Sequence, residues 1–324
     1  MRRLSTEDKK SANRPDLLAT LVEVAHLYYE ENLSQQEIAD RLNVSRSLIA
    51  LYLKKAREQG IVQITIRDPQ NVFQNLALQL QERYHLRYAE VVSSAHLSNI
   101  LTRRALGNAV AQYLDRVLQD GDVLGLDWGR TIMEVVNLLA PSRPRQIEIV
   151  PLLGESSSTG SYTQLNQIVL QAARAFNATP YFLLVPLLVG SKALRDALMA
   201  DITTQEVISR WNRLTYACVG IGPIPLIEGQ VVYIGDENLS ELIRQKAVGN
   251  ICAHYFDQEG RILSQEFKDR IIGISAEQLK SAKNVIAAAG GIEKGRAVAA
   301  ALRTGLITHL FVDEALARLL LDKP

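Results

Sequence analysis

The sequence has little cysteine and no long apolar run, and each shortage excludes a class of protein. It contains two cysteines in 324 residues, Cys218 and Cys252, without the spacing of a metal site or a disulfide framework. The longest apolar run, residues 181–189, contains a proline and is about half as long as a bilayer span. Residues 4–16 are mainly polar, which argues against a secretory signal. We therefore expect a cytoplasmic protein with no membrane segment, no metal and no cofactor.

The chain also lacks a strong net charge. Its formal charge is +1 and its pI is about 7.8, so no overall attraction to nucleic acid or to a membrane is expected. Any such attraction has to come from a local group of residues. With 47% hydrophobic residues, the chain is long enough to bury a large core, as one domain or as two unequal ones.

The N-terminal region carries the pattern of a helix-turn-helix. Apolar residues recur at helical spacing across residues 17–28 and predict a first helix. Ser34 and Glu37 form a capping box that begins a second helix. Asn43 suits the left-handed turn that follows, and Ser45 caps a third helix. Two short helices joined by a tight turn are typical of a DNA-binding motif whose second helix enters the major groove.

The third helix is predicted to be the DNA-contacting element. From Arg41 to Arg57 every charged residue is basic. A basic run alone is equally typical of a solvated helix face, but the turn and the two capped helices favour phosphate binding. The start of a recognition helix faces base edges, later residues hold the backbone, and the preceding helix can meet a phosphate with its N-terminus. The predicted DNA contacts are Gln35, Gln36, Ser45, Arg46, Ser47, Ala50, Lys54, Lys55 and Arg57.

Beyond the third helix, apolar strands alternate with amphipathic helices, after a short alternating strand at 61–66. Predicted strands cover 88–94, 122–128, 147–153, 180–188, 215–222, 270–275, 284–290 and 307–313; predicted helices cover 71–84, 99–118, 131–139, 163–176, 239–248 and 293–304. Residues 249–264 interrupt the alternation as a hairpin turning at Glu259-Gly260. The alternation indicates a mostly parallel sheet with helices on both faces. We predict an α/β protein, with a helix-turn-helix domain at 1–66 and a larger α/β domain at 67–324.

Three segments offer ligand chemistry where strands lead into helices. Gly129, Arg130 and Thr131 combine an open backbone, a charge and a hydroxyl at a helix N-terminus, which suits an anion such as a sugar phosphate. An ordinary strand-to-helix turn with Thr131 as its cap fits the same residues. Glu155 and Ser156 lie in a hydroxyl-rich loop that suits a polyol, although such loops are often plain connections.

The third segment follows a double glycine near the C-terminus. Lys294 lies in the first helical turn, where a positive charge opposes the helix dipole, so an anionic ligand is one explanation for it. The other explanation is that Lys294 is an ordinary surface lysine. Asp257, in the predicted hairpin, can accept hydrogen bonds from sugar hydroxyls or only shape its turn.

Four stretches of the chain together resemble the SorC family of bacterial sugar-responsive transcriptional regulators. They are residues 33–64, the motif GDVLGLDWGRTI, the motif AVGNICAHYFDQEG, and AAGGIEKGRAVAAALRTGLITHLFVDEALA. The resemblance covers residues 15–322. It implies operator binding controlled by a sugar or phosphosugar effector, an effector domain similar to sugar-phosphate isomerases and CoA transferases, and a homo-oligomer, a dimer or more usually a tetramer. By position it assigns anion binding to Gly129, Arg130 and Thr131, a sugar contact to Asp257, and an effector contact to Lys294.

A sugar-phosphate isomerase-like enzyme with an added helical domain is the alternative. Asp127, Asp257, Glu293 and Lys294 include the residue types of an acid, a base and a Schiff-base amine. The five histidines are scattered, however, and no nucleophile–base pair is visible in the sequence. We therefore expect no catalytic residues.

Overall fold

The protein is described by a computed structural model covering residues 17–62, 73–93, 98–156, 164–225, 234–264 and 266–322. Its internal contacts divide the chain into two units, Met1–Gln70 and Asn71–Pro324. The predicted domain boundary after residue 66 lies outside the described residues and stays a prediction. The same is true of most of the predicted strand at 61–66. Within the described ranges, no helix combines the length and the apolar character needed to cross a membrane.

The N-terminal unit contains three helices with the predicted caps. They are α1 (Leu17–Tyr29), α2 (Gln35–Leu42) and α3 (Arg46–Glu58). Ser34 and Glu37 form the reciprocal capping box at the start of α2, and Ser45 accepts a hydrogen bond from the Leu48 N–H at the start of α3. Asn43 has φ 52° and ψ 47°, so it makes the left-handed turn between α2 and α3 without a glycine.

A small apolar core holds these three helices. Val24, Ile38, Ile49 and Leu53 are buried there, and Ala39 is 1% exposed. A larger side chain at Ala39 would overfill a site that is already closed. The unit is therefore a compact scaffold that leaves the outer face of α3 exposed.

The C-terminal unit is built on a seven-stranded parallel sheet. The strands are β1 (Tyr88–Val92), β2 (Val123–Leu126), β3 (Glu148–Pro151), β4 (Thr179–Pro180), β5 (Tyr216–Gly220), β9 (Asn284–Ala289) and β10 (His309–Asp313), in the order β1-β10-β9-β5-β2-β3-β4. A separate antiparallel sheet contains β6 (Gly222–Pro223), β7 (Gly249–Ile251) and β8 (His254–Phe256). The central strands are almost fully buried and rich in valine, isoleucine and alanine, as a sheet covered on both faces requires.

Within the described residues, the C-terminal unit also contains ten α-helices, several of which pack on the sheet. They are α4 (Gln74–Tyr84), α5 (Asn99–Val117), α6 (Arg130–Asn137), α7 (Leu165–Phe176), α8 (Lys192–Ala200), α9 (Ile202–Trp211), α10 (Asp236–Arg244), α11 (Ala276–Ser281), α12 (Gly295–Arg303) and α13 (Glu314–Asp322). The predicted helices at 71–84, 99–118, 131–139 and 163–176 correspond to α4 to α7 within a few residues. Helices α8, α9, α11 and α13 were not predicted. Helix α8 has no buried residue, so its sequence lacks the inward apolar stripe on which such a prediction depends.

Two predicted strands are wrong. Of residues 180–188 only Pro180 belongs to a strand, at the end of the two-residue edge strand β4; Pro186 and Leu188 make isolated bridges. Residues 270–275 likewise make only isolated bridges, at Ile271 and Gly273. Prolines cannot donate a ladder hydrogen bond, so the apolar run at 180–188 is buried without continuing as a strand.

The predicted hairpin turns earlier than expected. Strands β7 and β8 pair antiparallel around Cys252 and Ala253, which have φ 46° and 59°. The turn at Glu259-Gly260 is also present, but it follows β8 and leads only to an isolated bridge between Phe256 and Ile262. The helix predicted at 239–248 ends at Arg244, because the chain turns back at Lys246 with φ 60°. The helix predicted at 293–304 begins as a short 3-10 turn and continues as α12.

Candidate functional site

The sheet order places three loop-bearing strands side by side. Strand β5 lies between β2 and β9, and all three are parallel, so their carboxyl ends share one edge of the sheet. The loops after β2 and β9 carry Arg130 and Lys294. Ligands of open parallel sheets bind at this edge. The fold therefore brings together two segments that the sequence separates by more than a hundred residues.

The loop after β2 leads directly into α6. Gly129 occupies the N-cap position with φ 135°, where it provides no capping side chain, so the alternative with Thr131 as cap is wrong. Thr131 is buried within the first turn, and Arg130 is half-buried. A helix that begins without a capping side chain leaves first-turn N–H groups facing the loop. No atom lies within 4 Å of a side chain added at Gly129, so its backbone conformation, not lack of space, requires glycine there.

Asp127, just before this loop, is a buried carboxyl that ties three segments together. Its Oδ1 accepts a hydrogen bond from the Trp128 N–H at 2.8 Å, and its Oδ2 accepts one from the Gly220 N–H at 3.2 Å. The backbone and thiol of Cys252 also hydrogen-bond to it. Burial nevertheless raises the pKa of Asp127 to about 7. The carboxyl is therefore a structural link between the β2 loop, the end of β5 and the β7–β8 turn.

The loop after β9 is held by a second buried carboxyl. Asp313 is 1% exposed and accepts hydrogen bonds from the Gly291 N–H at 2.6 Å and from the Leu316 N–H at 3.1 Å. Gly291 has φ 95°, and a side chain there would collide with the Glu293 carboxylate. This fixed turn presents Lys294 at the start of α12.

Arg103, on α5, was missed by the sequence analysis. A Cβ on Gly107 would lie 2.9 Å from the Glu134 backbone, so α5 and α6 touch at this pair. Arg103 and Arg130 each lie one helical turn before it, towards the same edge of the sheet. The glycine loop is also close, because a Cβ on Gly290 would lie 3.2 Å from the Thr102 methyl.

Arg103, Arg130 and Lys294 thus form a cation cluster. The pKa of Lys294 is lowered to about 8, mainly by burial and also by the positive charges of Arg130 and Arg103, against the opposing effects of Glu293 and Asp313. Burial and the charge of Arg130 likewise lower the pKa of Arg103, which Glu134 partly opposes. Within the part of the chain that the structure describes, none of the three side chains forms an ion pair within 4.0 Å or a hydrogen bond. No close protein carboxylate therefore offsets the positive charge of the cluster among the described residues.

The polyol loop is only partly described, and its acidic residue has a structural role. The two carboxylate oxygens of Glu155 accept hydrogen bonds from the Leu165 N–H at 3.1 Å and the Asn166 N–H at 2.7 Å, at the start of α7. Ser156 is half-buried beside it. Gly154 is needed because a Cβ there would lie 2.6 Å from the Pro186 carbonyl oxygen. Residues 157–163 lie outside the described residues.

Asp257 is engaged in its own turn. Its carboxylate accepts hydrogen bonds from the Glu259 N–H at 3.0 Å, from the Arg261 N–H at 2.9 Å and from the Arg261 Nε at 2.7 Å. Burial alone would raise the pKa of Asp257, but the contacts with Arg261 outweigh it and lower the pKa. The turn packs on α12, since the Arg303 guanidinium donates to the Gln258 carbonyl oxygen at 3.0 Å.

The outer face of α3 matches the predicted DNA surface in exposure. Arg46, Ala50, Lys54 and Arg57 are exposed and lie on one helix face at spacings of four and three, and Lys55 is half-buried. Ile49, Leu53 and Ala56 occupy the buried side. Arg46 forms no side-chain hydrogen bond or ion pair with another described residue, whereas the Lys54 ammonium lies 3.7 Å from the Glu58 carboxylate. A free arginine on the first turn is therefore available to an external partner.

The polar residues near this face have local partners. The hydroxyls of Ser45 and Ser47 lie 3.0 Å apart, and the Ser45 hydroxyl also caps α3. The Gln36 amide donates to Asp40 at 2.9 Å, while Gln35 is half-buried at the start of α2. DNA contacts by these residues would exchange or share local hydrogen bonds.

Comparison with known protein families separates the chain along the same lines. The Sugar-bind family, described as a sugar-binding domain, matches residues 69–322. A winged helix-turn-helix DNA-binding family matches residues 24–63. The cation cluster lies in the first match and the exposed face of α3 in the second.

Full-length relatives match the chain across both units. The sorbitol operon regulator of Klebsiella pneumoniae is 31% identical over 94% of this chain and 98% of its own length. The deoxyribonucleoside regulator of Bacillus subtilis is 29% identical over 93% of this chain and 96% of its own length. The crystal structure of full-length SorC from Klebsiella pneumoniae superposes with a TM-score of 0.77 at 31% identity, covering 95% of this chain and all of that one.

Proposed function

The chain belongs to the SorC family of sugar-responsive transcriptional regulators, and from this membership we propose how its residues divide the work. The C-terminal unit binds a sugar or phosphosugar effector, and the N-terminal unit binds operator DNA. The effector contacts are Gly129, Arg130, Thr131, Glu155, Ser156, Asp257 and Lys294; the DNA contacts are Gln35, Gln36, Ser45, Arg46, Ser47, Ala50, Lys54, Lys55 and Arg57.

One observation carries the effector site. Arg130 and Lys294 come from different loops, the charge of Arg130 helps to lower the pKa of Lys294, and neither side chain has an ion-pair partner among the described residues. Holding half-buried positive charges together is unfavourable unless an anion offsets them. An effector with a negative group, placed beside the open start of α6, satisfies both.

The neutral part of the effector is assigned to the remaining polar residues. Glu155 already accepts two backbone hydrogen bonds, and a carboxylate with both oxygens in use still has lone pairs for a hydroxyl. Ser156 lies next to it. Asp257 is tied to Arg261, so we assign it the weaker contribution of the two carboxylates.

On DNA, we assign Arg46 the largest energetic role. It is exposed at the start of the recognition helix, and its guanidinium suits bidentate contact with a guanine edge or a phosphate. Lys54 and Arg57 follow on the same face and are assigned to the phosphate backbone.

We also propose a homo-oligomer, a dimer or a tetramer, that works in the cytoplasm. One chain contributes one recognition helix, and helix-turn-helix proteins commonly read two half-sites with two copies. Light scattering of the purified chain, with and without a two-half-site operator, tests the oligomeric state. A monomer that binds a single half-site as tightly as the full operator would contradict it.

Effector and operator are coupled by linkage. An effector that binds one arrangement of the protein more tightly shifts the population towards that arrangement. The factor by which the effector changes operator affinity equals the factor by which the operator changes effector affinity. The test is operator binding measured by fluorescence anisotropy with and without each member of a panel of sugars and sugar phosphates. Loss of the ligand response in Arg130→Ala, with operator affinity unchanged, is the expected result; an unchanged ligand response would overturn the assignment.

We further propose that the chain binds its effector without converting it. The relatives compared above are named regulators, and Asp127, a carboxyl of the enzyme alternative, is buried under backbone donors instead of facing a ligand. Incubation of the chain with sugar phosphates, followed by product analysis, tests this. Turnover that disappears in Lys294→Ala would support the enzyme instead.

A further inference from the structure

We propose that the ε-amine of Lys294 is a site of covalent modification, which small acyl phosphates acylate without the help of an enzyme. An acyl phosphate joins an acyl carbon to a phosphate oxygen, so the molecule combines an electrophile with an anion. The acylation rests on the geometry of the cation cluster alone, whereas its consequence for operator binding rests on the proposed function.

The amine of Lys294 has no protein partner that would block a reaction. Within the described ranges, its Nζ forms no hydrogen bond and no ion pair within 4.0 Å. The ammonium of Lys54, by contrast, lies 3.7 Å from the Glu58 carboxylate. The ammonium of Lys192 lies 2.5 Å from the Asp196 carboxylate. Lys294 is half-buried, so part of its side chain remains accessible to a small molecule.

The surroundings of this amine also keep a useful fraction of it neutral. A protonated amine has no lone pair, so only the neutral form attacks an acyl carbon. Burial, the charge of Arg130 and the charge of Arg103 lower the pKa of Lys294 to about 8. At pH 7 about a tenth of such an amine is neutral, against about one in three thousand at the ordinary pKa of 10.5.

The two arginines of the cluster provide a place for the phosphate of the donor. Arg103 and Arg130 both act electrostatically on Lys294, so the three side chains face a common region. A guanidinium binds a phosphate bidentately, and neither arginine has a hydrogen bond or an ion pair among the described residues. A donor whose phosphate is held there keeps its acyl carbon close to the amine, which accelerates the attack by proximity.

The reaction is an acyl transfer that leaves an amide and inorganic phosphate. The Nζ lone pair attacks the acyl carbon and forms the C–N bond. The bond from the acyl carbon to the bridging phosphate oxygen breaks, and the phosphate leaves with the electron pair. The amine loses one proton to the departing phosphate or to water, and nothing is oxidised or reduced. The charges of Arg103 and Arg130 stabilise the phosphate as its negative charge grows.

Acylation removes one of the three charges of the cluster. The amide formed at Lys294 is neutral, so only Arg103 and Arg130 remain positive. An anionic effector then binds less tightly, and the change in operator affinity that the effector causes is reduced. The modification therefore makes the effector response dependent on the supply of acyl phosphate.

The test incubates the full-length chain with acetyl phosphate at pH 7 and measures the acylation rate of each lysine by peptide mass spectrometry. Lys280, an exposed lysine on α11, is the reference within the same sample. N-acetoxysuccinimide, a neutral acyl donor without a phosphate, separates the reactivity of the amine from the binding of the donor. The variants are Arg103→Gln and, as control, Arg104→Gln, which removes an exposed charge from the same helix.

We expect acetyl phosphate to acylate Lys294 at least about tenfold faster than Lys280. Arg103→Gln should slow acylation of Lys294 by about fivefold or more, because it removes a phosphate contact and a charge that lowers the pKa of the amine. The effect of Arg103→Gln should be smaller with N-acetoxysuccinimide, since only the change in pKa then matters. Arg104→Gln should react as the wild type does with both donors.

Two results would overturn the inference. One is acylation of Lys294 by acetyl phosphate at the same rate as Lys280. The other is an Arg103→Gln variant, folded by circular dichroism, in which the Lys294 rate with acetyl phosphate is unchanged. A preference for Lys294 that is equally large with both donors would overturn the assignment of the arginines to the donor phosphate.

Operator binding distinguishes this inference from the proposed function. Protein acylated at Lys294 should lose the effector response measured by fluorescence anisotropy. If the acylated protein keeps the full response, the modification stands and the assignment of Lys294 to the effector fails. If Lys294 is not acylated but Lys294→Ala loses the response, the proposed effector site stands and the modification fails.

Discussion

The two units of the protein both present positive charge, but they hold it in opposite ways. On α3 the basic residues Arg46, Lys54 and Arg57 are exposed and close together in sequence, so their charges are solvated and accessible to a large external polyanion. In the C-terminal unit three basic residues are half-buried and come from α5, α6 and the start of α12. Their solvation is incomplete, so a small anion is needed to offset them. From this difference we expect DNA affinity to depend mainly on the number of exposed charges, and effector affinity to depend on where the half-buried charges are placed.

The largest effect is expected when the half-buried charge of Lys294 is removed and the exposed charges of α3 are left unchanged. Lys294→Ala should abolish the change in operator affinity caused by effector while operator affinity without effector stays within about twofold of the wild type. Fluorescence anisotropy with labelled operator measures both. Lys280→Ala, an exposed lysine on α11, is the control and should keep the response. Loss of operator binding in a folded Lys294→Ala protein would break the division between the units.

The complementary change removes an exposed charge. Arg46→Ala should weaken operator binding by about tenfold to a hundredfold, and should lower the slope of log affinity against log salt if the lost contact is to a phosphate. Effector binding, measured by calorimetry, should not change. Arg104→Ala removes one charge from the other unit and serves as control. Equal losses in the two variants would mean that net charge, not the α3 face, determines affinity.

A finer test uses the lowered pKa of the half-buried Lys294. With a pKa of about 8, Lys294 is protonated in about half of the ligand-free molecules at pH 8, and a bound dianion raises its pKa. Phosphate-ester binding at pH 8 should therefore take up about half a proton, seen as a dependence of the calorimetric heat on buffer ionisation enthalpy. Lys294→Arg, which stays charged, should take up none. Equal uptake in both proteins would assign the proton to another group.

The smallest expected effect is on the free energy of unfolding, not on binding, and concerns Asp127. Asp127 has a folded pKa of about 7, above its ordinary value of 3.8, so the native state holds a proton that the unfolded chain releases between these values. Its contribution is complete below pH 4 and is lost as pH rises through about 7. The facing thiols of Cys218 and Cys252 stay neutral in this range, because burial raises the pKa of each.

The measurement is Tm against pH for the wild type and Asp127→Asn. The wild type should lose more stability than the variant between pH 4 and 7, and the difference between the two curves isolates this carboxyl from the other titrating groups. Parallel curves would show that Asp127 does not titrate in this range.

The contrast between residues that are neighbours in sequence and residues brought together by the fold also explains which features could be predicted from the sequence. The capping box at Ser34, the turn at Asn43 and the cap at Ser45 are local chemistry, so each was predicted correctly from neighbouring residues. The parallel sheet followed from its alternating pattern. The cation cluster is non-local: Arg130 and Lys294 were singled out from their own loops, but only the strand order shows that these loops are adjacent.

The failures have equally physical causes. Nothing around Arg103 in the sequence distinguishes it from its exposed neighbour Arg104, because its burial comes from α6 and the loop after β9. The run at 180–188 misled because an apolar segment interrupted by proline is buried like a strand but cannot pair like one. Asp257 and Glu155 were singled out for chemistry, and the structure additionally shows them holding a turn and a helix start.

The contact at Gly107 has a consequence for how the ligand specificity of such a receptor can change. Because α5 meets α6 through backbone at this glycine, the distance between positions 103 and 130 is set by the scaffold and not by the side chains there. We therefore expect exchanges at those two positions to alter which effector is accepted, while the distance between the two helices stays the same. Gly107→Ala would do the reverse, keeping every ligand-facing residue and changing only their separation.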